Sequence, residues 1–295
     1  MTKTLPRLLL TGSTGYIGRR FAPVLLGGWT VFRGSRTAAG EGALDLDLAN
    51  PDSIRRAFDA AAPEVVIHAG AEADPDVCQR DPHRCRRVNV DAVKTLAGLC
   101  GVSGARLIHF STDLVFDGER GWYTEDDKPN PQGVYACGKL DAEEAALVRA
   151  PGATVLRVSA VYGRPLGGRL GFIDHLRAKL AAGEAVTAFT DQWRTATAAD
   201  QLPEVVLKIL ADRDIAGVHH WGGADRTTRF DAAVTFARVM ELEENLIHPG
   251  RAVDAKFDSP RPRDCSLDSS RLAAALGVAP LTLEAGFKAM RGAWG

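Results

Sequence analysis

A threonine, a tyrosine and a lysine in this sequence have the spacing that carbonyl reduction requires. Thr112 follows the largely apolar run 106–110, so we expect it at the carboxyl end of a buried strand, and Tyr135 and Lys139 lie four residues apart. A spacing of four predicts that the phenol and the ammonium share one helical face. A phenol can give a proton to a carbonyl oxygen, a hydroxyl can hold that oxygen, and a cation favours the phenolate. A tyrosine and a lysine at this spacing also arise by chance on long helices, so further motifs in the chain are needed to support a catalytic role.

A glycine-rich turn near the amino terminus predicts a dinucleotide site. It follows a predicted strand at residues 7–10 and precedes a predicted helix that runs to Gly27 and Gly28. Glycines at spacings of three permit a tight turn and close approach of the backbone to a pyrophosphate at a helix amino terminus. This spacing is typical of the short-chain type of Rossmann domain, although a βα turn without a ligand would also use glycines. The predicted cofactor contacts in the turn are Gly12, Thr14, Gly15, Tyr16, Ile17 and Gly18.

The residues after the second predicted strand, 29–32, indicate which nicotinamide cofactor is bound. An acidic residue about twenty positions after the first glycine would bind the ribose 2′-hydroxyl of NAD. No acid occurs here before Glu41, whereas Arg33, Ser35 and Arg36 could hold a 2′-phosphate. The pattern favours NADPH and leaves NADH possible, because a solvated arginine at a strand end is also common.

Further cofactor contacts are predicted after the third and fourth strands. Asp47 could accept a hydrogen bond from the adenine amino group or simply lie in a loop. Small residues after the fourth strand allow a cofactor to lie against the backbone. The full set in these segments is Asp47, Leu48, Ala69, Gly70, Ala71 and Asn89. Cys78, His83 and Cys85 lack a fourth ligand at suitable spacing, so we predict no metal site.

Strands and helices alternate through the first half of the chain, which predicts an α/β fold with a Rossmann-like, doubly wound parallel sheet. Asn50 followed by Pro51 is a strong helix start. We expect an NADP(H)-binding domain at residues 1–165, with 198–222 returning to it, and a smaller α/β substrate lobe at 166–295. The remaining predicted elements are strands at 43–46, 64–67, 106–111, 154–158, 185–189 and 217–221, helices at 86–100, 172–182, 199–210 and 228–241, an extended segment at 252–257, and two short helices near the carboxyl end.

Composition describes an ordinary globular protein without a nucleic-acid or membrane partner. The chain has 295 residues, 45% of them hydrophobic and 25% charged, with a net charge of −1 and no basic run. The first apolar run is too short for a signal peptide or a membrane span. Five cysteines without framework spacing favour a reducing cytoplasm. We expect a cytoplasmic monomer or homodimer.

Together, these motifs resemble the extended short-chain dehydrogenase/reductase family, and within it the dTDP-4-dehydrorhamnose reductase branch. The resemblance covers essentially the whole chain. The segments that carry it are Thr11-Gly12-x-x-Gly15-x-x-Gly18, Ser111-Thr112-Asp113-x-Val115-Phe116-Asp117-Gly118, Tyr135-x-x-x-Lys139, Asp191-Gln192 and Arg261-Pro262 with Leu267-Asp268.

The resemblance implies NADPH-dependent reduction of the C4 ketone of a nucleoside-diphosphate 4-keto-6-deoxy sugar. Thr112 would polarise the carbonyl, Tyr135 would donate the proton, and Lys139 would bind the nicotinamide ribose and lower the phenol pKa. The implied substrate contacts are Asp113, Val115, Phe116, Arg164, Trp193 and Arg194. For the last three, a role as ordinary surface residues is an open alternative.

The sequence also departs from its relatives. Leu114 follows Asp113 where related dehydratases carry a second acid, so we disfavour dehydration. Ala160 replaces a tryptophan of the family, and Cys265 stands where the branch often has serine.

Alternative functions are a regulatory protein, a different nucleotide-sugar reductase, or a C4 epimerase. The branch is similar to the regulatory subunit of methionine adenosyltransferase, which also keeps Tyr-x-x-x-Lys. An epimerase that retains NAD is disfavoured by the missing acid after the second strand.

Overall fold

A computed structural model describes residues 4–25, 27–167 and 170–292. Its strands are β1 Arg7–Thr11, β2 Thr30–Ser35, β3 Ala43–Asp45, β4 Val65–His68, β5 Arg106–Thr112, β6 Thr154–Val158, β7 Val186–Phe189, β8 Trp193–Arg194, β9 Gly217–Trp221, β10 Thr227–Thr228 and β11 Ile247–Gly250. Its helices are α1 Phe21–Leu25, α2 Pro51–Ala61, α3 Pro75–Arg80, α4 Pro82–Arg86, α5 Ala92–Ser103, α6 Val134–Arg149, α7 Phe172–Ala181, α8 Leu202–Ala211, α9 Arg229–Met240, α10 Ser270–Leu276 and α11 Leu283–Gly292.

Seven strands form one parallel sheet in the order β3-β2-β1-β4-β5-β6-β9, with helices flanking it. The first six positions have the strand order of the Rossmann fold, in which ligands bind beyond the carboxyl ends of the strands. The predicted fold class is therefore confirmed. The bounds of β6 and β9 match the prediction, whereas β2 runs to Ser35 instead of ending at residue 32.

Aspartate or asparagine followed by proline begins three helices. The Asn50 side chain accepts hydrogen bonds from two backbone N–H groups at the start of α2, which confirms that predicted helix start. The Asp74 side chain likewise accepts two backbone N–H groups at the start of α3, and the Asp81 side chain accepts one at the start of α4. The single helix predicted at 86–100 is instead α4, a π-helical turn at Arg87–Asp91 and α5 in succession. Such π turns insert one residue into a helix and often occur at functional sites.

The chain folds into two compact units, each built from three segments. The first unit contains the chain through Ser111, Gly133–Leu156 and Leu202–Val218. Its core includes Leu9, Val66, Leu96, Leu107 and Val155, all almost fully buried. The burial of these apolar side chains against the sheet stabilises the parallel strands, which must be covered on both faces.

The second unit contains Thr112–Gln132, Arg157–Gln201 and the chain from His219 onward. Its core includes Tyr162, Leu176, Phe236, Phe287 and Met290. The two rings of Phe236 and Phe287 meet edge to face at 5.2 Å, an arrangement that aromatic pairs prefer.

Two short sheets complete the second unit: β7 pairs with β11 in parallel, and β8 with β10 in antiparallel fashion. The predicted extended segment at 252–257 is wrong over Ala252–Asp254, which forms a 3₁₀ turn, whereas Ala255 is extended. The strand in this region is the preceding Ile247–Gly250. Thr228 caps α9 through reciprocal hydrogen bonds with Asp231, as predicted for a helix starting there. Within the described ranges, no helix is long and apolar enough to cross a membrane.

Candidate active site

The glycine turn after β1 is closed by contacts that side chains would prevent. Gly12 has φ +67°, and a Cβ there would overlap the backbone of Gly70. A Cβ on Gly18 would overlap the carbonyl oxygen of Gly12, which accepts a hydrogen bond from the Gly15 N–H at 2.9 Å. A Cβ on Gly70 would lie 2.7 Å from Leu48 Cδ1, so Leu48 packs closely against this glycine. The structure thus brings together the predicted residues Gly12, Gly18, Leu48 and Gly70 in the first unit.

Arg33, within β2, and Arg36, just after its end, have different surroundings. The Arg33 guanidinium donates to the carbonyls of Ala39 at 2.9 Å and Glu41 at 2.7 Å, so it fastens the following loop. Arg36 is exposed, and no hydrogen bond or ion pair to it occurs among the described residues. Arg36 is therefore the arginine that is free to meet a ligand.

Hydroxyl groups surround the same strand end. Ser35 Oγ accepts from the Thr37 N–H at 3.2 Å, and Thr37 Oγ1 donates to Thr14 Oγ1 at 3.4 Å. Thr37 was not among the predicted contacts. Its only signal in the sequence is a hydroxyl two residues after Ser35.

The side chains of two predicted cofactor residues form hydrogen bonds with the backbone of other residues. Asp47 Oδ1 accepts from the Ala49 N–H at 3.0 Å, which closes a turn. The buried Asn89 amide bonds both the N–H and the carbonyl of Glu72, at 2.8 and 2.9 Å. Asn89 therefore fixes the backbone that follows Gly70 and Ala71.

Tyr135 and Lys139 occupy the first two turns of α6, where Tyr135 is half-buried and Lys139 is buried. Lys139 Nζ donates to the Phe110 carbonyl at 2.6 Å and lies 3.2 Å from His109 Nε2. Burial lowers the pKa of Lys139 to about 8, and nearby Glu143 and Cys85 oppose that shift. The lysine is therefore fixed to the strand that continues into Thr112.

Two histidines lie next to this lysine in the first unit. His68 stacks on His109 with ring centroids 5.2 Å apart, and Thr11 Oγ1 lies 2.5 Å from His68 Nδ1. Burial and the charge of Lys139 lower the pKa of His68 to about 3 and hold that of His109 well below its ordinary value. Both rings are therefore neutral at physiological pH. Neither histidine is among the predicted site residues, because each lies in an apolar strand pattern.

Thr112 and Asp113 begin the second unit. Thr112 Oγ1 donates to Asp113 Oδ1 at 3.1 Å and accepts from the Leu114 N–H at 3.2 Å. Asp113 Oδ2 accepts from Ser159 Oγ at 2.7 Å and faces Arg194 Nε at 3.2 Å. Burial raises the pKa of Asp113, whereas Arg194 and the hydrogen bonds act in the opposite direction.

The remaining predicted substrate residues make structural contacts in the second unit. Val115 and Phe116 are fully buried, and the Phe116 ring stacks on Tyr123 at 4.2 Å. The Arg194 guanidinium donates to the carbonyls of Trp193, Arg263 and Pro262 at 2.6 to 3.2 Å. Arg226 covers the Trp193 ring at 4.2 Å. Arg164 is half-buried.

Arg229 was not among the predicted site residues, yet it is the described arginine of the second unit whose pKa is lowered. Its Nε donates to Gln192 Oε1 at 3.1 Å, and its guanidinium lies over the Phe172 ring. Burial, followed by repulsion from Arg194 and Arg261, lowers the pKa of Arg229 to about 10. The buried amide nitrogen of Gln192 has no hydrogen-bond partner within the described residues. An excess of positive charge and an unused donor are features of an anion site.

Comparison with known proteins assigns the chain to a family. The family model described as RmlD substrate binding domain matches residues 6–292. The chain belongs to this family. A solved dTDP-4-dehydrorhamnose reductase from Clostridium acetobutylicum superimposes on the RmlD-type fold of this chain with a TM-score of 0.88 at 25% identity, covering 97% of this chain and 99% of that one.

Two relatives of this RmlD-family chain differ in their described activities. Methionine adenosyltransferase 2 subunit beta from Danio rerio is 30% identical over 272 residues, which are 90% of this chain and 84% of the relative. A probable low-salt glycan biosynthesis reductase from Haloferax volcanii is 32% identical over 252 residues, 84% of each chain. The proteins to which this chain is similar therefore include both a probable reductase and a subunit of a methionine adenosyltransferase.

Proposed function

We propose that this chain is an NADPH-dependent reductase of the C4 ketone of a nucleoside-diphosphate 4-keto-6-deoxy sugar. The observation that carries the proposal is the buried Lys139, fixed by its ammonium to β5, with Tyr135 four residues earlier on the same helix. The Haloferax volcanii relative and the Clostridium acetobutylicum structure are both described as reductases, which supports this chemistry.

The first unit fits the proposed dinucleotide. In the glycine turn, the N–H groups of Thr14 and Ile17 have no backbone acceptor among the described residues, so they can donate to a pyrophosphate. Ser35, Arg36 and the Thr14–Thr37 hydroxyl pair would hold the 2′-phosphate, and Lys139 would hold the nicotinamide ribose. When bound, NADPH supplies the hydride that goes to C4 of the sugar.

The chain's own groups supply the proton. In the proposed mechanism, Tyr135 donates its hydroxyl proton to the ketone oxygen. The Thr112 hydroxyl turns its single proton from Asp113 Oδ1 to the same oxygen and donates a hydrogen bond there. The positive charge of Lys139 stabilises the Tyr135 phenolate that results. The ketone gains one hydride at carbon and one proton at oxygen, and solvent then returns a proton to Tyr135.

The diphosphate is proposed to bind near Arg229. The guanidinium of Arg194 is already bonded to three carbonyls and to Asp113, so its role is to hold the segment around Pro262. Among the described residues, Arg229 makes a single polar contact, through Nε, and a diphosphate would relieve its repulsion from Arg194 and Arg261. Arg164 and Trp193 stay as proposed substrate contacts.

A second candidate is a cofactor-binding regulatory subunit. The relatives described as methionine adenosyltransferase 2 subunit beta match 90% of the chain at 30 to 31% identity, which favours this alternative. A regulatory protein would bind NADPH without consuming it in the presence of a keto sugar.

The test is the loss of NADPH absorbance with dTDP-4-dehydrorhamnose generated in situ, run in parallel with NADH. Binding of NADPH is measured separately by fluorescence. Turnover that requires the keto sugar supports the reductase. Binding without turnover, across several nucleoside-diphosphate keto sugars, would contradict the reductase and favour the regulatory subunit.

A further inference from the structure

A row of buried polar side chains connects the end of β1 to Lys139 within the first unit. Thr11 pairs in register with His68 on β4, and His68 pairs in register with His109 on β5. All three side chains are essentially inaccessible to solvent, as is Lys139 on α6. Burying a polar group costs free energy unless the group is hydrogen-bonded, so the hydrogen bonds of these four side chains determine whether the row is stable.

The hydrogen-bond donors and acceptors fix the protonation pattern. A charged lysine can only donate, so its contact at 3.2 Å requires a lone pair on His109 Nε2 and places the His109 proton on Nδ1. That Nδ1 is buried and has no partner within the described residues. Leaving one ring nitrogen unsatisfied has a cost, which the charge-assisted bond to Lys139 offsets.

The row is not a continuous proton path. His68 and His109 are in contact through their stacked ring faces, 17° from parallel, and the structure shows no hydrogen bond between them. The other titratable groups that act on Lys139 are Glu143 on its own helix and Cys85 on α4. Neither of these is on β5. The contacts from His109 and the Phe110 carbonyl are therefore what holds the ammonium against the strand.

We propose that His109 is a positioning residue for Lys139. Its Nε2 accepts a hydrogen bond from one of the three ammonium N–H groups. The His109 ring also stacks on His68, which contacts Thr11 at the end of β1, so these contacts connect the lysine to the strand that precedes the glycine turn. The proposal rests on the proposed reductase function for its catalytic consequence, but the contact itself exists independently of that function.

The direct test is an NMR titration of the lysine side chains in protein labelled with ¹³C at lysine Cε. The Lys139 signal is identified by its absence in Lys139→Arg. We expect a midpoint near pH 8 in the unaltered protein. His109→Leu removes the acceptor and should lower the midpoint by about one pH unit, the scale of one lost hydrogen bond to a charged group.

Matched variants separate the hydrogen bond from general disturbance. Gln can place its amide oxygen near the position of Nε2, so His109→Gln should restore a midpoint close to that of the unaltered protein. Asn is too short to do so, and His109→Asn should behave like His109→Leu, which keeps the test valid if the leucine variant does not fold. His83→Leu alters an exposed histidine of the same unit and should change nothing. An unchanged or raised midpoint in both His109→Leu and His109→Asn would overturn the proposal.

Turnover provides a second readout. If charged Lys139 is required, activity should fall as pH rises through its midpoint, and His109→Leu should move this alkaline limb about one pH unit lower. His109→Gln should keep the limb near its original position. Absence of turnover in the unaltered protein would refute the proposed reductase, while the NMR midpoints would still decide the role of His109. A limb that does not move when the NMR midpoint does would overturn the catalytic consequence alone.

Discussion

Replacing Arg36 with alanine should weaken the binding of NADPH and leave that of NADH nearly unchanged. Arg36 is exposed and has no polar partner in the described part of the chain, so its guanidinium is available to the 2′-phosphate that only NADPH carries. A hydrogen bond to a charged group contributes about 1.5–3 kcal/mol, and solvent exposure favours the lower end. Arg36→Ala should therefore raise the Kd for NADPH roughly tenfold.

Arg33→Ala is the matched control. Arg33 lies three residues earlier, but its guanidinium is bonded to the carbonyls of Ala39 and Glu41. Its loss should loosen that loop and affect NADPH and NADH to a similar, smaller extent. Both cofactors are titrated by fluorescence at low and at moderate ionic strength. The NADPH affinity of Arg36→Ala should depend less on salt than that of the unaltered protein, because one phosphate contact is gone.

Equal weakening of NADPH and NADH in Arg36→Ala would refute this reasoning. A selective loss of NADPH binding in Arg33→Ala instead would show that Arg33 leaves its carbonyl partners to reach the phosphate.

Two further predictions concern stability. Tyr162→Phe should stabilise the fold by up to about 1 kcal/mol in urea unfolding, because the buried Tyr162 hydroxyl has no partner among the described residues; a loss of stability would show that this hydroxyl is hydrogen-bonded in the folded protein. His220 Nδ1 donates a hydrogen bond to the Tyr123 carbonyl, and His220 Nε2 accepts one from the Arg157 guanidinium. Burial lowers the pKa of His220 to about 3. Between pH 6.5 and 3 the unfolded chain binds a proton at this residue that the folded chain does not, so stability falls as the pH is lowered, by roughly 1–2 kcal/mol from pH 6.5 to 5. His220→Gln should flatten this part of the stability profile, and an unchanged slope would contradict the assignment.

The sequence predicted elements well where local signals define them. The Asn50-Pro51 start of α2 and the Thr228 start of α9 depend on side chains that bond the nearest backbone, so they can be recognised without the fold. The strand Ile247–Gly250 could not, because His248, Pro249 and Gly250 are not strand-forming residues and their conformation depends on pairing with the distant β7. The extended segment predicted at 252–257 lies after this strand and begins with the 3₁₀ turn Ala252–Asp254.

The site was predictable in its motifs and not in its supporting contacts. The spacing of Tyr135 and Lys139 identified α6, and the glycines identified the turn that Gly12 and Gly70 form together. The contact between Lys139 and His109 depends on how α6 packs on β5, thirty residues away, and no local pattern reports it. Likewise, only the folded chain shows that Arg33 is bonded and Arg36 is free.

The central claim is that the chain reduces a nucleotide-linked keto sugar with Tyr135 as the proton donor. It is tested most directly by single-turnover oxidation of bound NADPH by dTDP-4-dehydrorhamnose in the unaltered protein, Tyr135→Phe and the control Tyr162→Phe. We predict that Tyr135→Phe binds NADPH normally and oxidises it about 10²–10⁴-fold more slowly, the usual contribution of a general acid, while Tyr162→Phe retains full activity. Equal rates in Tyr135→Phe and the unaltered protein, or no oxidation in any of the three, would contradict the claim.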